Sequence, residues 1–243
     1  MKHLHAEILK AGGLRSVWVA ALAGALAAPA LAALNARTLV ASGDLSGVGQ
    51  LEETIIAVAA VAFIASTIMG QEWQPMPAEA GGGRQSIATR SAAPQVASWL
   101  AAKFVVTLTL SAAVLAAALG GALAASAAIH HVFIESVEPR TVAAIFLYGL
   151  LTAQFCAGLT LLLRNSLIPT VWMVANSTVI SVGYLVAKRF APAWFLPDAI
   201  GTAIIRLTPE PNMPSPAVAT AAYVGWVVLV WAAGLVREWR GDE

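Results

Sequence analysis

Hydrophobic and polar positions fall in long alternating blocks along this chain. Six uncharged, mostly apolar stretches cover residues 16–34, 54–70, 104–129, 141–163, 165–187 and 217–236. At 1.5 Å per helical residue, each spans or nearly spans a hydrocarbon layer of about 30 Å. A charge at the centre of such a helix costs roughly 2.5–3.5 kcal/mol on insertion scales, so six charge-free runs point to a lipid environment. The pattern predicts an all-α integral membrane protein, with six transmembrane helices in a single transmembrane domain over residues 1–243.

The polar intervals set the topology. With the N-terminus inside, six crossings leave both termini cytoplasmic. Lys2, Lys10, Arg15, Arg84, Arg90, Lys103, Arg164, Arg237 and Arg240 then lie inside, against Arg37, Arg140, Lys188, Arg189 and Arg206 outside. The inner excess agrees with the positive-inside rule. Trp18, Trp73, Trp99 and Trp239 are expected at the inner interface, and Tyr184, Trp194 and Tyr223 near the outer one. The first run follows three basic residues and contains Ala28-Pro29-Ala30, as a signal peptide would. It exceeds a secretory core of about 7–15 residues, so a retained helix is expected.

Within residues 1–15, Leu4, Ile8 and Leu9 alternate with His3, His5, Glu7 and Lys10. That spacing predicts a short helix lying flat at the inner interface. Arg164 and Asn165 alone join the fourth and fifth runs, which predicts a tight antiparallel hairpin. Ser166 is the expected cap, and Pro169 falls in the first turn, where its missing N–H costs little. In the outer segment 188–216, Pro197-Asp198 reads as a helix start. Ile200, Ala203, Ile204 and Leu207 then share one apolar face, ahead of Pro209, Pro211, Pro214 and Pro216. A short helix on, or dipping into, the outer leaflet is expected there.

The longest cytoplasmic interval is 71–98. It opens with Glu72-Trp73-Gln74 and passes Pro75, Pro77 and Gly81-Gly82-Gly83. It then runs from Arg84 to Arg90 and through Pro94 to Trp99 and Lys103 at the head of the third run. A glycine-rich hinge before a helix-compatible stretch suggests an element that projects to meet something soluble. The alternative is a loop whose basic residues only set topology.

Composition sharpens this picture. The chain is 59% hydrophobic and 11% charged, with mean hydropathy +0.77, whereas soluble domains carry about a quarter charged residues. A net charge of +1 argues against a nucleic-acid binder. Cys156 is the only cysteine, so no intrachain disulfide can form and a small packing role is expected. No Gly-x-x-x-x-Gly-Lys-Ser/Thr sequence occurs, so the chain has no P-loop to hold nucleotide. His-Glu-x-x-His, Gly-x-Ser-x-Gly and intramembrane Asp or Glu are likewise absent. These absences disfavour an intramembrane protease, a serine hydrolase and a proton-coupled carrier. His130-His131 with Glu135 reads as an interfacial cap on the third helix, because a metal would require further ligands. Gln154, Asn176, Ser177, Thr178 and Ser181 are the most polar intramembrane groups. They either hydrogen-bond across helices or line a pathway.

Three short segments resemble a known family. Ala6-Glu7-Ile8-Leu9-Lys10 followed by Arg15-Ser16-Val17-Trp18 is similar to the opening of ABC-2-type exporter permeases, the short bacterial ones above all. Thr67-Ile68-Met69-Gly70-Gln71-Glu72-Trp73-Gln74 resembles that family's segment after helix two, with Glu72 at its acidic position. The spacing from Pro94 to Ala102-Lys103 resembles its approach to helix three. The chain departs from the family in extra residues around 74–81 and in Gln74 and Gln95, where arginine is usual.

The resemblance implies a transport subunit of the bacterial cytoplasmic membrane, without its own ATPase site. ATP and Mg would be bound by a separate ATPase subunit, and a second permease, identical or homologous, would complete the pathway. It implies an ATPase-coupling surface of Glu7, Lys10, Glu72, Trp73, Arg84, Arg90 and Pro94, with Lys103 anchoring helix three at the headgroups. The residues themselves leave two other classes open. One is a membrane enzyme acting on lipid or prenyl substrates through His131, Glu135 and Glu138; the other is a nonenzymatic scaffold or channel subunit.

Overall fold

The computed structural model describes residues 2–43, 51–75, 89, 96–129, 137–176, 182–205 and 212–240. The regular elements among them are helical: α1 (Lys2–Gly13), α2 (Arg15–Ser42), α3 (Ile55–Gly70), α4 (Val96–Ile129), α5 (Pro139–Leu163), α6 (Leu167–Asn176), α7 (Val182–Arg189), α8 (Pro197–Ile205) and α9 (Pro216–Arg240). Short 3₁₀ turns occupy Glu52–Thr54, Gln71–Trp73 and Ala191–Phe195.

Among the described residues, five helices are long and apolar enough to cross a membrane: α2, α3 with its following turn, α4, α5 and α9. The run 165–187, expected as one crossing, is described as two pieces, α6 and α7. Residues 177–181 between them lie outside the described residues, so five candidate spans stand where six were expected. The helices also outrun their apolar stretches. α2 continues through Asn35 and Arg37 to Ser42, and α4 begins at Val96. A charge ends a lipid-compatible run, but it need not end a helix.

α3 sits at the centre, packed on α2, α4 and α5, and α5 carries α9 on another face. Val58, Val61, Ile64, Ala65 and Ile68 of α3 are buried, whereas α2 and α9 turn Leu22, Leu26, Val228 and Leu229 outward. Small residues let the rods approach closely. A Cβ on Gly149 would stand 2.7 Å from Leu115, and one on Gly158 would stand 2.6 Å from Val230. Such contacts drive helix association where lipid supplies no hydrophobic force.

The described part of segment 188–216 folds back onto the bundle. α7, the 191–195 turn and α8 pack together, and α8 also meets α5 and α9. Ile200, Ala203 and Ile204 of the expected apolar face are buried, and Leu207 lies outside the described residues. Trp226 Nε1 donates to the Phe195 carbonyl at 2.7 Å. Gly201 lies against the Tyr148 ring, about 14 Å along α5 from its start at Pro139. The short helix therefore lies alongside the bundle, about that far from the end where α5 begins. Trp194 and Tyr223, expected at the outer interface, are fully buried, and Tyr184 and, from the inner set, Trp99 are buried as well. Packing between helices takes these rings; Trp18 and Trp239 remain exposed.

The α5–α6 turn differs from the expected cap. Arg164 adopts a left-handed conformation, φ 54° and ψ 32°. Asn165 Oδ1 accepts from the N–H groups of Leu167 and Ile168, at 2.8 and 3.2 Å. Asn165 caps α6 in place of Ser166, because the reversal at Arg164 sets its amide over the free N–H groups of the first turn.

Candidate functional site

α4 starts before Lys103, so that residue lies one turn beyond Trp99 on a buried helical face. α1 packs across this part of α4. Two glycines, Gly12 and Gly13, and an extended Leu14 (φ −85°, ψ 103°) break the chain between α1 and α2. Trp18 Nε1 fixes the bend by donating to the Gly12 carbonyl at 2.9 Å. The turn Gln71–Trp73 brings Glu72 to the same place from the end of α3.

Four charges meet there. Lys103 Nζ lies 2.8 Å from Glu7 Oε2 and 3.1 Å from Glu72 Oε1, and it donates to the Ile68 carbonyl at 3.1 Å. Lys10 Nζ lies 2.8 Å from Glu7 Oε1 and 3.3 Å from Glu72 Oε1. Lys10 also donates to Thr89 Oγ1 at 3.4 Å. Lys103 and Glu72 are fully buried and Glu7 is 3% exposed. Two cations and two anions cancel, and each carboxylate has both ammonium groups nearby. Burying an ion without a partner would cost several kcal/mol even after relaxation, so this closed square is what makes burial tolerable.

Lys10 is the edge of the square nearest water, with its side chain 27% exposed. Burial alone would lower its pKa. The hydrogen bond to Glu7 and the charges of Glu72 and Glu7 outweigh burial and raise it above the ordinary 10.5.

α1 is thus turned with its charges inward. Ile8 and Leu9 are 52% and 63% exposed on the opposite side. This corrects two expectations. Glu7 and Glu72 present almost no surface to a partner, because Lys103 and Lys10 draw them into the packed junction. Lys103 does not reach the headgroups, because the same two carboxylates and the Ile68 carbonyl hold its ammonium inside. Trp73 is half-buried against the core. Arg84, Arg90 and Pro94 lie outside the described residues, as do Ser177, Thr178, Ser181 and the pair His130-His131 with Glu135. Of Asn176 only the helical backbone is described. Gln154 is buried, with Nε2 donating to Thr107 Oγ1 at 3.2 Å and to the Phe104 carbonyl at 3.5 Å. Its own backbone carbonyl accepts from Trp231 Nε1 at 2.9 Å. It therefore bonds across α4, α5 and α9.

A second charged contact went unread in the sequence. Arg164 Nε lies 3.2 Å from Glu238 Oε1, and Arg237 donates to the Leu162 carbonyl. The only signal was a lone arginine ending one apolar run and a Glu among arginines ending another. Gly70, two residues before Glu72, touches Ser166. Both charged clusters therefore occupy one end of the bundle, together with α1 and the C-terminal end of α9.

No family model, curated protein or solved structure matches the chain.

Proposed function

We propose that the chain is the membrane-spanning permease subunit of an ATP-driven exporter of the ABC-2 type, moving an amphipathic or hydrophobic compound out of a bacterial cell. The observation that carries this reading is a convergence. Glu7, Glu72 and Lys103 belong to the three separate segments on which the resemblance rests, and they meet with Lys10 in one buried square. Residues drawn together this way form a junction between an N-terminal helix, the turn after α3 and the head of α4. That junction gives the loop following Glu72 a firm base.

A separate ATPase subunit binds ATP with Mg and closes on this end of the bundle. Because Glu7 and Glu72 are buried, the surface offered to it is the loop carrying Arg84, Arg90 and Pro94, with exposed Gln74 and Pro75 at its start. The square is the footing beneath that surface. Six crossings, with residues 165–187 as the fifth, put both termini in the cytoplasm. A second permease, identical or homologous, faces this one across the pathway.

The test uses the full chain, tagged, in its native membrane. A P-loop ATPase should co-purify with it, and Arg84→Ala with Arg90→Ala should weaken that association and transport together. In a Cys156→Ala background, Arg84→Cys and Arg90→Cys should each react with a thiol label only after the membrane is opened. Labelling from outside intact cells, or purification without any ATPase, would refute the reading.

A further inference from the structure

Among the contacts that link the two charged clusters at this end of the bundle, one has no side chain on the α3 side. A Cβ built on Gly70 would stand 2.6 Å from Ser166 Cβ, 3.0 Å from its Oγ and 3.6 Å from its Cα. The last turn of α3 thus rests directly on the α5–α6 turn. Glu72 follows two residues later and is held by Lys103 and Lys10. On the far side of the turn, Arg164 holds Glu238, and Arg237 holds the Leu162 carbonyl. A continuous run of contacts therefore leads from α1, through the square, Gly70 and Ser166, to the end of α9.

We infer that the Gly70–Ser166 contact is the joint through which displacement of the charge square reaches the α5–α6 turn and the C-terminal end of α9. Elsewhere α3 packs on α5, and their buried apolar side chains, among them Ile64 and Ile68 on α3 and Leu161 on α5, can absorb small shifts by changing rotamer. At Gly70 the α3 side has no side chain to turn away, and close-packed groups move together or not at all. The turn is itself poorly compliant, because Arg164 holds a left-handed conformation and Asn165 is committed to capping α6. The inference concerns the mechanics of the chain alone and stands whether or not an ATPase docks on it.

The test is amide hydrogen exchange on the full chain in lipid nanodiscs, with no ligand present. Glu72→Gln disturbs the square. It should speed exchange over residues 163–170 and 234–240 by about three- to tenfold, the scale of coupling between groups in contact. Ser166→Gly removes both atoms nearest Gly70, and in that background the same Glu72→Gln change should leave those two segments largely unmoved. Gly70→Ala should speed exchange at the turn by overpacking, and Ser166→Gly should relieve it. If Glu72→Gln does not yield folded protein, Lys10→Met, at the partly exposed corner, supplies the disturbance. The inference fails if Ser166→Gly leaves the distant response undiminished. It fails equally if disturbing the square produces no response at the turn, or if Gly70→Ala is not relieved.

Discussion

Replacing Lys103 with methionine should be among the most damaging single changes in this chain. The side chain is fully buried, and its ammonium lies 2.8 Å from Glu7, 3.1 Å from Glu72 and 3.1 Å from the Ile68 carbonyl. Methionine fills most of the volume, so the loss is electrostatic. Glu7 and Glu72 would then share Lys10 alone, leaving one negative charge uncompensated in a site closed to water. Breaking a buried pair from one side costs about 3–5 kcal/mol. At roughly 2–4 °C per kcal/mol for a chain of this size, the midpoint of thermal unfolding should fall by roughly 6–20 °C.

Cys156 makes the measurement simple. It is the only thiol and is fully buried, so its reaction with a fluorogenic maleimide during heating reports loss of tertiary packing. The decisive comparison is Lys103→Met with and without Glu72→Gln. The double variant retains Lys10 and Glu7 at 2.8 Å, a neutral pair, and should recover about 2 kcal/mol relative to Lys103→Met alone. If the two changes simply add, or if Lys103→Met leaves the midpoint within about 2 °C of the parent, the balanced square is not what stabilises this junction.

Lys10 should give the junction an alkaline limit. Its raised pKa means that its contribution is complete below pH 10.5 and fades as the pH climbs through the raised value. Near-UV circular dichroism should therefore show a transition above pH 10.5 that Lys10→Met lacks. Asn165→Ala should cost about 1 kcal/mol through the lost cap on α6, whereas Ser166→Ala should leave the cap intact, as thiol-reactivity midpoints would report. Gly201→Ala would bring a Cβ to 2.3 Å from the Tyr148 ring. It should cost about 1–3 kcal/mol and raise exchange across α8, and a neutral result would mean that α8 does not seat on α5 as described.

The apolar runs made five spans legible, because an uninterrupted apolar stretch of that length has little use outside a bilayer. Helix ends were less legible. Lys103 ends the lipid-compatible part of α4 without ending its helix, so a reading by charge placed it at the rim. The square was half visible. Glu7, Lys10, Glu72 and Lys103 each stood out beside an apolar run, but nothing in their local spacing says that residues 62 positions apart, as Lys10 and Glu72 are, will meet. The cap at Asn165 was missed because the left-handed Arg164 shifts the first free N–H groups by one residue. The pair Arg164 and Glu238 was missed because two isolated charges at the ends of distant runs carry no mark of mutual attraction.

The orientation of α1 was illegible for a deeper reason, and it decides what the site can do. Helical spacing puts Glu7 and Lys10 on one face and Ile8 and Leu9 on another, but spacing alone does not say which face turns inward. In water the apolar face would turn in and the charges out, since apolar burial gains about 25 cal/mol per Å². Here the charges face inward because two opposite charges wait there, on the turn after α3 and on α4. Exposure of Ile8 and Leu9 costs little where the surroundings are apolar. A helix turned this way cannot offer Glu7 to a soluble partner without opening the square, which would leave Lys103 buried and underpaired. The square instead ties α1, the turn after α3 and the head of α4 to one another.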